Sequence, residues 1–338
     1  MYTGFYRRHE LQMRVGLFFS AAAMSGAFSG LLAAAIIQMD GIRGMSGWQW
    51  IFLLEGLATI CYGAVLALIL PNTARDVSIL SPAETELCIK RLESDGPARE
   101  SNSFNTKALR STFRSPHIWI VCLALFCNGT SLFGLANFAP SIVKSMGYQG
   151  TKLQLFTVPP FAIAFFATMV SAYAADRYRA RGITAICTSL IAVAGFALFL
   201  WSSSVAAHYT ALCLMITGIY STSPGLISWL PNNAAASTRR ATAVAMGFIA
   251  SNSGGILSTW IYPESAAPGY KFAAKLNLAF AFVTIGLAAV EILLLRWMNQ
   301  RKQSEQYRED ALRGLEALSP EEQYDALGDR HPDFKYTL

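Results

Sequence analysis

Ala174-Ala175-Asp176-Arg177-Tyr178-Arg179-Ala180-Arg181-Gly182 is the stretch that decides the fold of this chain. It places three arginines and one acid between two apolar runs, each long enough to cross a hydrocarbon core of roughly 30 Å. A cationic turn this short reads as the cytoplasmic connection of two transmembrane helices, because lysine and arginine stay on the inner side of the membrane. The direction of every other span follows from that one.

Composition agrees. Of 338 residues, 53% are hydrophobic and 14% are charged, against roughly 25% charged in a soluble domain. The net charge of +6 does not indicate nucleic acid, since the basic residues sit in turns between apolar runs and not on one face. Five of the six cysteines fall inside apolar runs, with no C-x-x-C and no histidine at ligand spacing, so no metal site or redox pair is expected. The first apolar run, Val15 to Ile37, is too long for a cleavable leader and reads as an uncleaved anchor.

Working outward from the turn gives eight spans: about 15 to 37, 48 to 70, 116 to 140, 153 to 175, 183 to 204, 208 to 230, 242 to 263 and 274 to 297. The fold expected is an all-α membrane protein with both termini cytoplasmic. With the first end inside, 22 of the 27 lysines and arginines lie in cytoplasmic segments, and only Arg43, Lys144, Lys152, Lys271 and Lys275 lie outside. Gly26 and Gly30, four apart in the first span, make it a helix for close packing and not for facing lipid. Residues 1–71 form one unit of two spans and 72–115 a cytoplasmic linker. The rest divides into a six-helix bundle at 116–297 and a cytoplasmic tail at 298–338. In the linker, Ser81-Pro82-Ala83-Glu84 is a capping box that starts a helix running to about Glu93, with Leu87 and Leu92 inward, before the Gly96-Pro97 break. A second short helix is expected from Asn105 to Arg114, and Ser319-Pro320-Glu321-Glu322 is another capping box in the tail.

Asp176, with Arg177, Arg179 and Arg181, can pair across helix ends and hold one conformation closed; the same charges can equally serve topology alone. Glu55 is an acid inside the second span and so a functional candidate, or an interfacial residue bonded to a neighbouring helix. No loop carries a nucleophile, base and orienter at usable spacing, and no glycine loop cradles a phosphate, so an enzyme is not expected.

The motif from Ala175 to Arg181 resembles the signature loop of the major facilitator superfamily, in the copy between its eighth and ninth helices. Further stretches narrow the likeness: Tyr6-Arg7-Arg8-His9-Glu10, Trp50-Ile51-Phe52-Leu53-Leu54-Glu55-Gly56, Asn233 with Thr238-Arg239-Arg240-Ala241, and Asp329-Arg330-His331-Pro332-Asp333-Phe334-Lys335-Tyr336. Together they resemble the fungal anion:cation symporters of the allantoate permease family. The turn departs from that family at Ala236 and Ser237, where glycine and histidine are usual. The resemblance implies a fold of twelve helices in two halves. The eight spans correspond to helices five to twelve, with the first four missing.

It further implies that the first, third, fourth, sixth and seventh spans face a central cavity. Asn128, Thr130, Asn137, Tyr220, Ser228, Trp229 and Asn252 are then candidate substrate contacts, each equally readable as glue between helices. Asn128 also opens an N-x-T sequon that burial makes unusable. No basic residue lies deep in these spans, so the group that reads an anion, and the proton carrier, are expected in the missing helices. The function implied is secondary transport of a small organic anion such as allantoate, nicotinate or pantothenate, proton-coupled, by alternating access in the plasma membrane. The alternative is a truncated product that inserts without transporting. The partners are the anion, protons and lipid, with no cofactor.

Overall fold

The computed structural model describes residues 11–71, 76–77, 80–93, 106–178, 180–235, 237–263, 270–315, 323 and 327–338. Arg179, Ala236, the Tyr6 to Glu10 motif, Gly96-Pro97 and the Ser319 to Glu322 capping box lie outside these. Among the described residues the chain is helical. Eight long helices carry it: α1 (Leu11–Ile37), α2 (Gly47–Ile69), α5 (Pro116–Ser145), α6 (Gly150–Tyr178), α7 (Arg181–Trp201), α8 (Val205–Asn232), α9 (Ser237–Ile261) and α10 (Lys271–Arg301). Three short helices, α3 (Pro82–Glu93), α4 (Thr106–Phe113) and α11 (Glu305–Leu312), lie between or after them.

Seven of the eight are long and apolar enough to cross a membrane. The exception is α9, where Arg239, Arg240, Asn252 and a series of serines and threonines lower the hydropathy. Its 25 residues are nevertheless laid along α5. The two helices approach closely because neither backbone is shielded: a Cβ on Gly254 would sit on the Phe126 carbonyl oxygen, and one on Gly129 on the Ser251 carbonyl oxygen. Small residues at matched levels are how helices associate in lipid, where the hydrophobic effect does not drive them together.

The most enclosed helix is α8, which touches α7, α6, α5, α1 and α9. The core divides along the bundle into two clusters. One holds Phe161, Phe196, Met215, Tyr262 and Tyr270; the other holds Ile118, Leu125, Trp229, Leu295, Phe334 and Tyr336. The last two belong to the C-terminal segment. Several polar side chains inside the bundle are paired between helices. Ser131 on α5 donates to Asn277 Oδ1 on α10 (2.9 Å), and Asn277 Nδ2 donates to the Tyr262 hydroxyl (2.9 Å). Thr188 and Thr222 join α7 to α8 at 2.8 Å.

The glycine reading of α1 holds in part. Gly26 faces the Phe161 ring and Gly30 the Gln154 amide of α6, but Leu17, Phe18, Phe28 and Leu32 are exposed, so α1 packs with one stripe and presents apolar side chains with the other. α2 meets α1 and buries only Gly47, which leaves Glu55 exposed. The Ser81 box forms as expected: Ser81 N–H donates to Glu84 Oε2 (2.9 Å) and Glu84 N–H to Ser81 Oγ (3.4 Å). The backbone and hydroxyl bonds from Ser81 hold the Glu84 carboxyl below its ordinary value. Leu87, read as inward, is instead exposed, because α3 has no partner helix on that side among the described residues.

Candidate functional site

One end of the bundle carries the α6–α7 turn, the α8–α9 turn, the end of α10 and the C-terminal segment 327–338. Asp176 lies in the last turn of α6 and Arg181 is the first residue of α7, their charged groups 3.9 Å apart across the turn. Arg177 points outward. Arg181 is buried, and it also holds the chain terminus: its backbone N–H donates to the Leu338 carbonyl (3.0 Å) and its Nη1 to Thr337 Oγ1 (3.2 Å).

An extended segment has backbone groups that need partners, and two asparagines supply them. Asn233, after α8, accepts from Thr337 N–H at Oδ1 (2.8 Å) and donates from Nδ2 to the Thr337 carbonyl (3.2 Å). Asn299, near the end of α10, accepts from Tyr336 N–H (2.9 Å) and donates to the Tyr336 carbonyl (2.9 Å). A primary amide presents one donor and one acceptor side by side, as a neighbouring strand does. The Trp229 indole N–H adds a bond to the Thr337 carbonyl (2.9 Å).

Charge closes the assembly. Arg239 on α9 is ion-paired with Asp329 and donates from Nη2 to Ser115 Oγ before α5 (3.1 Å). Tyr336 donates its hydroxyl to Asp329 Oδ2 (3.0 Å). Lys302 donates to the carbonyls of Asp329, His331 (3.2 Å) and Phe334 (2.9 Å), and its ammonium lies 4.2 Å from the Tyr336 ring centre. Arg239, Asp329, Lys302 and Tyr336 are all buried. Burial raises the Asp329 carboxyl above its ordinary value, opposed by Arg239 and by the Tyr336 hydroxyl. Burial and the Asp329 charge raise the Tyr336 hydroxyl, while burial lowers His331 against the pull of Asp333.

Burial also pushes the Lys302 ammonium down to about 8, with Asp329 opposing the shift. An undocked lysine keeps its proton up to its ordinary value of 10.5. Between these values the unfolded chain binds more protons than the folded one, so stability rises with pH there and loses this dependence below about 8. The thermal midpoint of the wild-type chain is expected to climb through that window relative to Lys302→Gln. Parallel pH profiles for the two would refute the assignment.

A model of the Major Facilitator Superfamily matches residues 1–259 of the chain. The chain belongs to that superfamily. Among relatives of this major facilitator protein, an uncharacterized transporter of Schizosaccharomyces pombe is 32% identical over 303 residues, covering 89% of this chain and 60% of the relative. MFS transporter prlL of a fungal species is 30% identical over 305 residues, covering 89% of this chain and 61% of its own length. The high-affinity nicotinic acid transporter of Saccharomyces cerevisiae is 26% identical over 332 residues, covering 98% and 61%. The chain thus spans about three-fifths of the length of these relatives. The superfamily and these relatives are transporters and not enzymes, and the seven apolar helices make the chain an integral multi-pass membrane protein.

On this major facilitator bundle the seven residues read as cavity contacts do not converge. Asn128 Nδ2 donates to Ser223 Oγ of α8 (2.7 Å), Thr130 to the Phe126 carbonyl (3.0 Å) and Ser228 to the Gly225 carbonyl (3.1 Å), all buried. Tyr220 stands edge-on to Phe161, and Trp229 serves the C-terminal segment. Asn137 and Asn252 are exposed, the latter bonded to the Phe248 carbonyl of its own helix (2.8 Å). Of the turn residues, Asn233 and Arg239 grip the C-terminal segment, while Arg240 donates to the Ala234 carbonyl (3.4 Å). Sequence reasoning missed Asn299, Lys302, His117 and Glu291. Only Glu291 carried a visible signal, an acid inside the apolar run Ala288-Ala289-Val290-Glu291-Ile292-Leu293.

Proposed function

We propose that this chain is the part of a secondary active transporter that contains the counterparts of helices five to twelve, and that the transporter moves a small organic anion of the allantoate, nicotinate or pantothenate type. Transport is coupled to protons and proceeds by alternating access across the plasma membrane. The observation that carries the reading is the latch just described, in which the signature turn, the α8–α9 turn, α10 and the C-terminal segment are tied to one another by buried bonds. Alternating access requires a bundle that moves as one body about a central site, and a shared clasp at one end gives it that stiffness. The basic bias of the turns supports a cytoplasmic side for the clasped end and both termini. A carboxylate substrate agrees with the likeness to a protein named for nicotinic acid. The exposed Asn137 and Asn252 then look towards the translocation path.

A second reading is a chain that inserts without transporting. It is favoured by α2, whose apolar length is left open on nearly every side.

Uptake of radiolabelled nicotinate, pantothenate and allantoate by permease-deficient yeast expressing this chain separates the two. Saturable, pH-dependent accumulation of one of them supports transport. Correct insertion with no accumulation of any supports the second reading. Asp176→Asn is expected to lower that uptake with insertion unchanged, since it removes the acid facing Arg181; unaltered uptake kinetics would leave the turn with a topological role only.

A further inference from the structure

His117 is the second residue of α5, and Glu291 lies within α10. Both side chains are 1% exposed, with His117 Nδ1 and Glu291 Oε1 3.8 Å apart. That is beyond hydrogen-bond distance. Among the described residues neither Glu291 oxygen nor His117 Nε2 has a hydrogen-bond partner, although all three atoms are buried. Many other buried side chains of the bundle are matched, as in Ser131 with Asn277 and Thr188 with Thr222. Removing a lone carboxylate from water without a donor is among the most expensive things a fold can do, so an unmatched acid facing an imidazole needs a proton held between them. A closure of about 1 Å, within the reach of a side-chain rotation, turns the gap into a hydrogen bond.

The surroundings say where the proton goes. Arg239 on α9 reaches Ser115, two residues before His117, and among the described residues its buried Nε–H is unbonded. From the C-terminal segment, the Tyr336 ring stands edge-on to the His117 ring at 5.9 Å, and Asp329 binds both Arg239 and Tyr336. Lys302 at the foot of α10 holds the same segment, and Arg181 of α7 is turned to Asp176 and Thr337. The docked segment therefore lies against the His117 ring of the pair at this end of the bundle.

We propose that His117 and Glu291 form a proton-binding site, and that the C-terminal segment is its cover. The pair holds one proton in either arrangement, as imidazolium with carboxylate or as imidazole with carboxylic acid. When that proton leaves to water at the clasped end, the pair changes from neutral to one negative charge. Arg239 then has a second acid to choose, and drawing it from Asp329 frees the segment. The role in coupling rests on the transport reading; the protonation does not.

Infrared difference spectroscopy of the intact chain in liposomes, taken between acid and neutral pH, tests the site without transport. A buried carboxylic acid band is expected, lost in Glu291→Gln, kept in Glu55→Gln and shifted in its titration by His117→Gln. A band that survives Glu291→Gln, or titrates identically in His117→Gln, overturns the proposal. If either variant fails to fold, nitrogen-15 spectra of the chain with His9, His208 and His331 each replaced by glutamine carry the test, since one ring then remains. That ring is expected to shift its nitrogen-15 resonances at the pH where the carboxyl band titrates, because its neighbour gains a charge, and resonances that stay constant while the band titrates overturn the site. Tyr336→Ala is expected to accelerate deuterium exchange of the band; an unchanged rate removes the cover. A band present with no uptake leaves the site standing and refutes transport, whereas uptake without the band does the reverse.

Discussion

Asp329→Ala is expected to destabilise the bundle by about 3–5 kcal/mol, the usual cost of stranding one member of a buried ion pair. The carboxylate is 1% exposed, bound to Arg239 and to the Tyr336 hydroxyl. Without it Arg239 keeps, among the described residues, the Ser115 hydroxyl bond alone, and a guanidinium 4% exposed cannot recover water in place. The segment loses its link to α9 at the same moment, because the Asp329 side chain is what Arg239 holds, while the main-chain carbonyl at 329 still accepts from Lys302. Thermal unfolding in detergent measures the first effect and proteolysis of the C-terminal segment the second. The double change Asp329→Leu with Arg239→Met is expected to cost less than the sum of the single changes, as both charges are then gone. The nearby Arg308–Asp333 pair supplies the control. It is some 60% exposed, so Asp333→Ala should alter stability by about 0–1 kcal/mol. Equal losses at Asp329 and Asp333 would mean that the buried pair is not formed.

Gly254→Leu carries the second large effect. Its Cβ would meet the Phe126 carbonyl oxygen and lie 2.8 Å from the Thr130 nitrogen, both main-chain atoms that cannot turn aside. α9 must then move off α5. The overpacking alone costs about 1–3 kcal/mol, and the separation of the two helices adds to it by opening the seam between them. Gly286→Leu is the matched control, because that position on α10 faces open space and tolerates a side chain towards lipid. Comparable melting of the two variants would refute the close approach of α5 and α9 as the seam of the bundle.

Much of this architecture can be read from the sequence because it depends on local signals. The cationic turn at Asp176 marks the junction of α6 and α7, the Ser81 box starts α3, and the stop at Pro71 leaves α2 ending at Ile69. The span read at 242 to 263 forms the long helix α9, but its hydropathy falls below that of the other seven, because its polar residues suit a helix packed against a partner more than one bathed in lipid. Polar residues inside spans are also ambiguous before the helices are placed: Asn128 turns to α8 while Asn137, nine positions later on the same helix, turns away. The latch is beyond sequence reasoning for a different reason. Asn233 and Thr337 are 104 positions apart, and His117 and Glu291 are brought together only when α5 packs on α10. No periodicity encodes such meetings. The motif from Asp329 to Tyr336 carries a family likeness in the sequence, but its work as a segment held by two asparagines is visible only in three dimensions.

The measurement that bears most directly on the clasp is amide hydrogen exchange, followed by mass spectrometry, over residues 331–338 of the intact chain in a bilayer. The amides of Tyr336 and Thr337 donate to Asn299 and Asn233, so this peptide is expected to exchange slowly, at the pace of the helix ends around it, and to lose that protection in Asn233→Ala or Asn299→Ala. Exchange in the wild-type chain as fast as in the free peptide would contradict a C-terminal segment built into the bundle, and with it the clasp on which the proposed function rests.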